Sequence, residues 1–306
     1  MGKTVCQGIL VPLITPFDLA GEVDEAVLRE MAEFMVRSGV HGLFILGSAG
    51  QGPVMTVAQR MRAAEAVTTQ VCGRIPVVTH VGCADTESTV ELALHAKACG
   101  SAAIAVVPPF YYSDHSDNEI LEHVRAVATA VGDDCPVFLY DNPLYTGIHL
   151  TPEKVRQYVT AIPSLCGIKA AYIGVEELLR YVRLAPPSFA VFSGSIFNLL
   201  ATVPLGVKGA IHPPTSFFPE LCVGLWDAIQ REQWKEAFDF QRALFELTTA
   251  MGSIKEKGRA ALAAVARLRG FAVQRYPRWK TEELSASQIQ TLELAVEKAG
   301  IALRVV

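Results

Sequence analysis

The sequence lacks a surplus of charge of either sign, a paired set of cysteines and any long apolar run, and each lack removes a class of function. Its 27 basic and 31 acidic side chains leave a net charge of -4 and a pI near 6.0, so no charge imbalance draws it to nucleic acid or to an anionic membrane. The seven cysteines (6, 72, 83, 99, 135, 166 and 222) are odd in number, form no CxxC pair and fall partly in apolar runs. They read as small core residues of a chain kept in a reducing cytoplasm. No stretch reaches the ~18 uninterrupted apolar residues of a membrane helix. The opening "MGKTVCQGILVPLITPF" has one lysine, no long apolar centre and no small-residue cleavage pattern, so it does not read as a signal peptide. The seven histidines show neither HxxxH nor HxH spacing, which disfavours a metal site, and no cofactor is expected.

What is present is apolar and regular. The 306 residues are 51% hydrophobic with a mean hydropathy of +0.30, enough to bury a large core. Eight short apolar runs recur: "GILVPLIT", "GLFIL", "IPVVTHV", "AAIAVVP", "PVFLYD", "CGIKA", "FAVFSG" and "VKGAI". None alternates strictly, the pattern of strands covered on both faces. Helical segments lie between them. Thr56 opens "TVAQ" and Ser116 opens "SDNE" as capping boxes, and "TPEK" puts Thr151 at an N-cap with Pro152 following. Eight alternating βα units predict a (βα)8 TIM barrel of the α/β class over residues 1–218. From Pro219 the chain reads as a helical bundle, 219–306, through "ELCVGLWDAIQ", "WKEAFDFQRALFELTTAM", "KEKGRAALAAVARLRG" and "SASQIQTLELAVEKAG". The competing layout, an open doubly wound sheet, calls for a glycine-rich nucleotide turn after its first strand, which "LVPLITPFDLAGEVD" does not carry.

Barrel active sites form where strands end and βα loops begin. There the sequence places "GSAGQGP" (47–53), "PPFYYSD" (108–114), "YDNPLYTG" (140–147), "IKAA" (168–171), "SGSIFN" (193–198) and "IHPPTS" (211–216). Lys169 stands out, because an ammonium in an apolar strand is penalised. Its pKa should fall toward neutrality, and a neutral amine can add to a carbonyl as a Schiff base. The structural alternative is a barrel lysine paired with a buried carboxylate, yet its neighbours Ile168, Ala170 and Ala171 offer none. Tyr140 precedes it by one βα unit, so both can lie at similar heights, and a phenol beside an amine can relay protons. A lone tyrosine at a strand end is otherwise a half-buried aromatic with a satisfied hydroxyl. "GSAGQGP" offers Ser48 and successive backbone N–H groups, a cradle suited to a carboxylate.

Together, GxxG after strand two, YxxP after strand five, "GIK" on strand six and the helical extension resemble the dihydrodipicolinate synthase and N-acetylneuraminate lyase family of class I pyruvate aldolases. The resemblance spans the chain from "GILVPLITPF" to "YPRW". It implies a Schiff-base lysine at Lys169, a general acid/base at Tyr140 and a carboxylate-holding relay hydroxyl at Ser48. It also implies a tyrosine at Tyr111 that crosses into a neighbouring subunit's site, hence a homo-oligomer, dimer or tetramer. Substrate contacts are implied at Ala49, Gly50, Tyr145, Gly194, Ser195 and Ile211. Departures narrow the substrate. Tyr145 stands where dihydrodipicolinate synthases carry arginine, and Ser195, Ile196 and Phe197 stand where sialic acid lyases carry acids. Ala49, Gln51 and Ala170 make the pocket more apolar than the family pattern. "GxxGxGP" and "SGS" are similar to the 2-keto-3-deoxygluconate aldolase branch. The expected reaction is cleavage or condensation of a short 2-keto-3-deoxy acid to pyruvate and an aldehyde. Dehydration or deamination on the same Schiff base, dihydrodipicolinate synthesis, a metal-dependent barrel enzyme and a non-catalytic 2-oxo-acid sensor are the alternatives.

Overall fold

A computed structural model describes residues 6–254 and 258–303. Every expected apolar run forms a strand: β1 Gly8–Val11, β2 Gly42–Ile45, β3 Val77–His80, β4 Ala103–Val106, β5 Val137–Asp141, β6 Leu165–Ala170, β7 Ala190–Ser193 and β8 Gly209–Ala210. Each pairs in parallel with the next, and β8 closes onto β1. The strands are buried almost without break, because helices cover one face and packed side chains fill the other. That double burial is why the runs do not alternate.

The crossover helices are α1 Glu25–Arg37, α2 Val57–Val71, α3 Thr86–Ala98, α4 Asp117–Val131, α6 Pro152–Ala161 and α7 Val175–Leu184. Two single-turn helices, α5 Pro143–Thr146 and α8 Leu199–Thr202, follow β5 and β7. Thr56 and Ser116 form the expected reciprocal capping boxes, and the Thr151 hydroxyl accepts from Lys154 N. Among the described residues no helix is long and apolar enough to cross a membrane.

Beyond β8 come α9 Pro219–Gln230, α10 Trp234–Gly252, α11 Gly258–Leu268 and α12 Ala286–Lys298; Lys255, Glu256 and Lys257 of the expected third helix lie outside the described residues. Helix α9 begins at the expected boundary but packs on β1, and one buried cluster joins β1, α1 and α2 to α9–α12. Phe34 of α1 meets Phe271 edge to face at 5.5 Å. The buried Arg269 guanidinium pairs with Glu220 and lies 5.4 Å from the Phe34 ring. The helical extension is thus fastened to the barrel rather than suspended from it.

Candidate active site

Lys169 and Tyr140 are register partners on β6 and β5, so adjacent strands set the amine beside the phenol. Strand β6 carries glycine two positions before the lysine for a steric reason. A Cβ on Gly167 would lie 2.4 Å from the Phe138 ring and 2.6 Å from the Ala190 carbonyl. The Phe138 ring fills that gap beneath the lysine and stacks edge to face on Phe192. The Lys169 ammonium position lies 4.2 Å from the Tyr140 ring centre and 4.4 Å from that of Phe44. Lys169 is 5% exposed and no acid offsets its desolvation, so burial lowers its pKa to about 7. The amine therefore spends much of its time neutral near neutral pH, as a nucleophile must.

Ser48 Oγ lies 3.3 Å from Tyr140 Oη, and Asn142 Nδ2 donates to both, at 3.0 and 2.8 Å. Burial pushes the Tyr140 phenol up to about 12, against the lowering effect of these two partners. Behind the site, Asp141 points out of the barrel. Its carboxylate accepts from Leu150 N at 2.9 Å and meets His149 Nδ1 at 2.8 Å, while His149 Nε2 meets Glu177 at 2.8 Å. Burial pushes Asp141 up to about 6, and the carboxylates on either side raise His149 despite its own desolvation. This chain ties the loop after β5 to α7 and so fixes where Asn142 and Tyr145 stand.

A cavity of about 510 Å³ opens over the lysine, and Ser48, Ala49, Tyr145, Gly194, Ser195 and Ile211 line it as expected. Gly194 is small of necessity, since a Cβ would lie 2.6 Å from Ala171 Cα. A second cavity of about 270 Å³ lies behind Ser48, Tyr140 and Asn142, and Tyr145 and Arg259 border both. Gly50 lines neither: a Cβ there would sit 2.7 Å from Leu46 N, and its carbonyl accepts from Thr15 Oγ1 at 2.7 Å. Tyr111 is also apart, 84% exposed in the left-handed region at φ 87°, with its ring on Tyr112 at 5.0 Å. The structure therefore brings together all the expected residues of this chain except Gly50 and Tyr111.

Asn142, Arg259 and Tyr276 line the cavities and escaped the sequence reading, whereas Gln51 and His212 lay in strand-end loops that it singled out. Asn142 carried no signal beyond its place in "YDNP". Arg259 of α11 and Tyr276 come from the extension. Arg259 Nη2 lies 3.4 Å from Tyr145 Oη, its guanidinium is 5.3 Å from the Trp279 ring, and Tyr276 Oη donates to the Ala49 carbonyl at 2.8 Å. Gln51 is used structurally, accepting from Arg278 N at 2.6 Å. His212 lines the main cavity, its Nδ1 buried without a partner; burial, then Lys169, pulls its pKa down to about 4, so the ring is neutral. Among the described residues no three His, Cys, Asp or Glu side chains are grouped to hold a metal ion.

The profile of the dihydrodipicolinate synthetase family matches residues 5–299. The chain belongs to this family. It is an enzyme of the aldolase and lyase type. A relative in Escherichia coli strain K12, the probable 2-dehydro-3-deoxy-D-pentonate aldolase YjhH, is 37% identical over 244 residues, 79% of this chain and 80% of that protein. The 4-hydroxy-tetrahydrodipicolinate synthase of Desulfotalea psychrophila is 29% identical over 95% of this chain and 96% of its own. Among solved structures, YagE, an E. coli K12 prophage protein of the family in complex with pyruvate, superposes with a TM-score of 0.89 at 26% identity, covering 97% of this chain and 99% of YagE. The sialic acid aldolase of Ruminococcus gnavus shares the fold, with a TM-score of 0.87 at 23% identity over 96% of this chain and 97% of its own.

Proposed function

We propose that this family member is a class I aldolase that cleaves, or in reverse condenses, a short 2-keto-3-deoxy acid through an imine on Lys169. The observation that carries the reading is the Lys169 amine, buried against two aromatic rings with no carboxylate among the described residues to hold its charge. The neutral amine adds to the C2 carbonyl, and water leaves as the imine forms. Ser48 and nearby backbone N–H groups take the 2-oxo acid's carboxylate. Tyr140 gives its proton to the departing water, leaving the imine cationic, and as the phenolate accepts the C4 hydroxyl proton; the C3–C4 bond then breaks with its electrons passing into the protonated imine. An enamine and an aldehyde result, and hydrolysis returns pyruvate and free lysine.

The similarity to YjhH supports this substrate class. So does the lining: Tyr145, Tyr172, Ser195, His212 and Arg259 offer hydrogen-bonding groups to a hydroxylated tail, and among the described residues no carboxylate lines the cavity. We also hold to a cytoplasmic location and to assembly as a homo-oligomer in which Tyr111 reaches a neighbouring site; its exposure in the single chain agrees with that role. Incubation with pyruvate, borohydride reduction and peptide mass spectrometry test the reading. A pyruvyl adduct on Lys169, missing in Lys169→Ala, is expected; a folded protein that yields none overturns it.

A further inference from the structure

Asn142 is 1% exposed, and its side chain has no local structural task. The turn after β5 is shaped by its backbone carbonyl, which accepts from Tyr145 N, Thr146 N and Thr146 Oγ1, and the side chain does not cap α5. Instead the two hydrogens of Nδ2 serve two hydroxyls, Tyr140 at 2.8 Å and Ser48 at 3.0 Å, which themselves lie 3.3 Å apart. The three groups close a ring. An amide nitrogen donates and does not accept, so both hydroxyl oxygens are acceptors toward Asn142. One hydroxyl hydrogen closes the ring between Tyr140 and Ser48. The other is left to face the cavity.

We propose that Asn142 is a positioning residue whose amide holds the Tyr140 and Ser48 oxygens as acceptors, so that one hydroxyl proton points at the reacting 2-oxo acid. This rests on the Schiff-base reading above. The sequence resemblance assigns a place near these hydroxyls to Tyr111 of a neighbouring subunit, whereas here an amide of the same chain already occupies part of that cluster. A phenol passes a proton onward and an amide does not. Protons accordingly move among Tyr140, Ser48 and substrate, with no path out through Asn142. When Tyr140 gives up its proton, the amide bond to the phenolate strengthens and keeps it in place for the return.

Pyruvate alone is a sufficient probe. In deuterated buffer the imine on Lys169 loses a C3 proton. The C–H pair becomes the C2=C3 bond, the C=N π pair moves to nitrogen, and a returning deuteron labels the methyl group. Decay of the methyl signal in NMR reads the proton transfers, and end-point borohydride trapping reads the imine. Asn142→Leu is expected to keep the adduct and to slow exchange at least ~10-fold, within the range of a general acid–base contribution. In a Tyr140→Phe background the same change should alter exchange less than ~2-fold, because coupled residues are not additive. Equal slowing in both backgrounds, wild-type exchange in Asn142→Leu, or loss of the adduct from that folded variant each overturns the proposal. Should Asn142→Leu fail to fold, Asn142→Asp keeps the size and replaces donors with acceptors; slowed exchange supports the proposal and undiminished exchange overturns it. A wild-type protein that forms no adduct overturns the Schiff-base reading, and this inference with it, an outcome distinct from all of these.

Discussion

Lys169 makes the fold less stable while it is charged, because burial disfavours the ammonium form, and the sign of that effect can be measured. Its folded-state pKa of about 7 is lowered from an ordinary 10.5. Between those values the unfolded chain holds a proton that the folded chain lacks, so stability rises with pH there, by up to about 1.4 kcal/mol per pH unit. As pH falls through 7 that contribution is gone. Lys169→Met should flatten this slope in urea titrations at pH 7 to 10 and raise stability at pH 6, while abolishing the pyruvate adduct. Tyr140→Phe should leave the fold intact and reduce turnover by roughly 10²- to 10⁴-fold, the usual reach of a positioned proton donor or acceptor. These residues were legible in the sequence because residue type and strand-end position suffice to flag them. Asn142 was not, because its importance lies in where a short side chain turns after β5, which no pattern records.

At the scale of elements, the strands were legible because burial on both faces leaves a continuous apolar signature. The loops were legible only as lists of candidates. Gly50 was expected at the substrate and instead sits behind the wall, since a glycine in a loop signals close approach without saying what approaches. In β6 the approach is between strands. A Cβ at Gly167 would meet the Phe138 ring at 2.4 Å and the Ala190 carbonyl at 2.6 Å, and the carbonyl belongs to the sheet itself. Gly167→Ala should therefore destabilise the protein by about 1–3 kcal/mol, as overpacking does. Denaturant melts give that figure, and borohydride trapping should show a lower adduct yield as Lys169 is pushed off its position.

At the scale of the molecule, the extension borders the candidate site. Tyr276 donates to the Ala49 carbonyl, Arg278 N to Gln51, and Arg259 borders both cavities. Sequence placed the end of the βα alternation at Phe218 but not this return path, because contacts between residues more than 200 positions apart leave no local trace. Arg259→Ala should raise KM for the full-length 2-keto-3-deoxy acid about 10-fold or more, the effect of losing a charged hydrogen bond, with little change in pyruvate trapping. A fragment ending at Phe218 strips α9 from β1 and leaves Phe34 without Phe271; circular dichroism should show no cooperative melt.

The pairing of Tyr140 with Lys169 across β5 and β6 has a wider consequence. Neighbouring strands are held about 4.8 Å apart by their hydrogen bonds, so the spacing of amine and phenol belongs to the barrel wall and not to any loop. The groups that line the outer part of the cavity sit elsewhere, on the loops after β5, β6 and β7 and on α11. On the proposed reading, reaction and substrate preference therefore rest on separate parts of the chain. Loop libraries built on this scaffold should yield new aldehyde preferences long before they yield a loss of the underlying carbon–carbon chemistry.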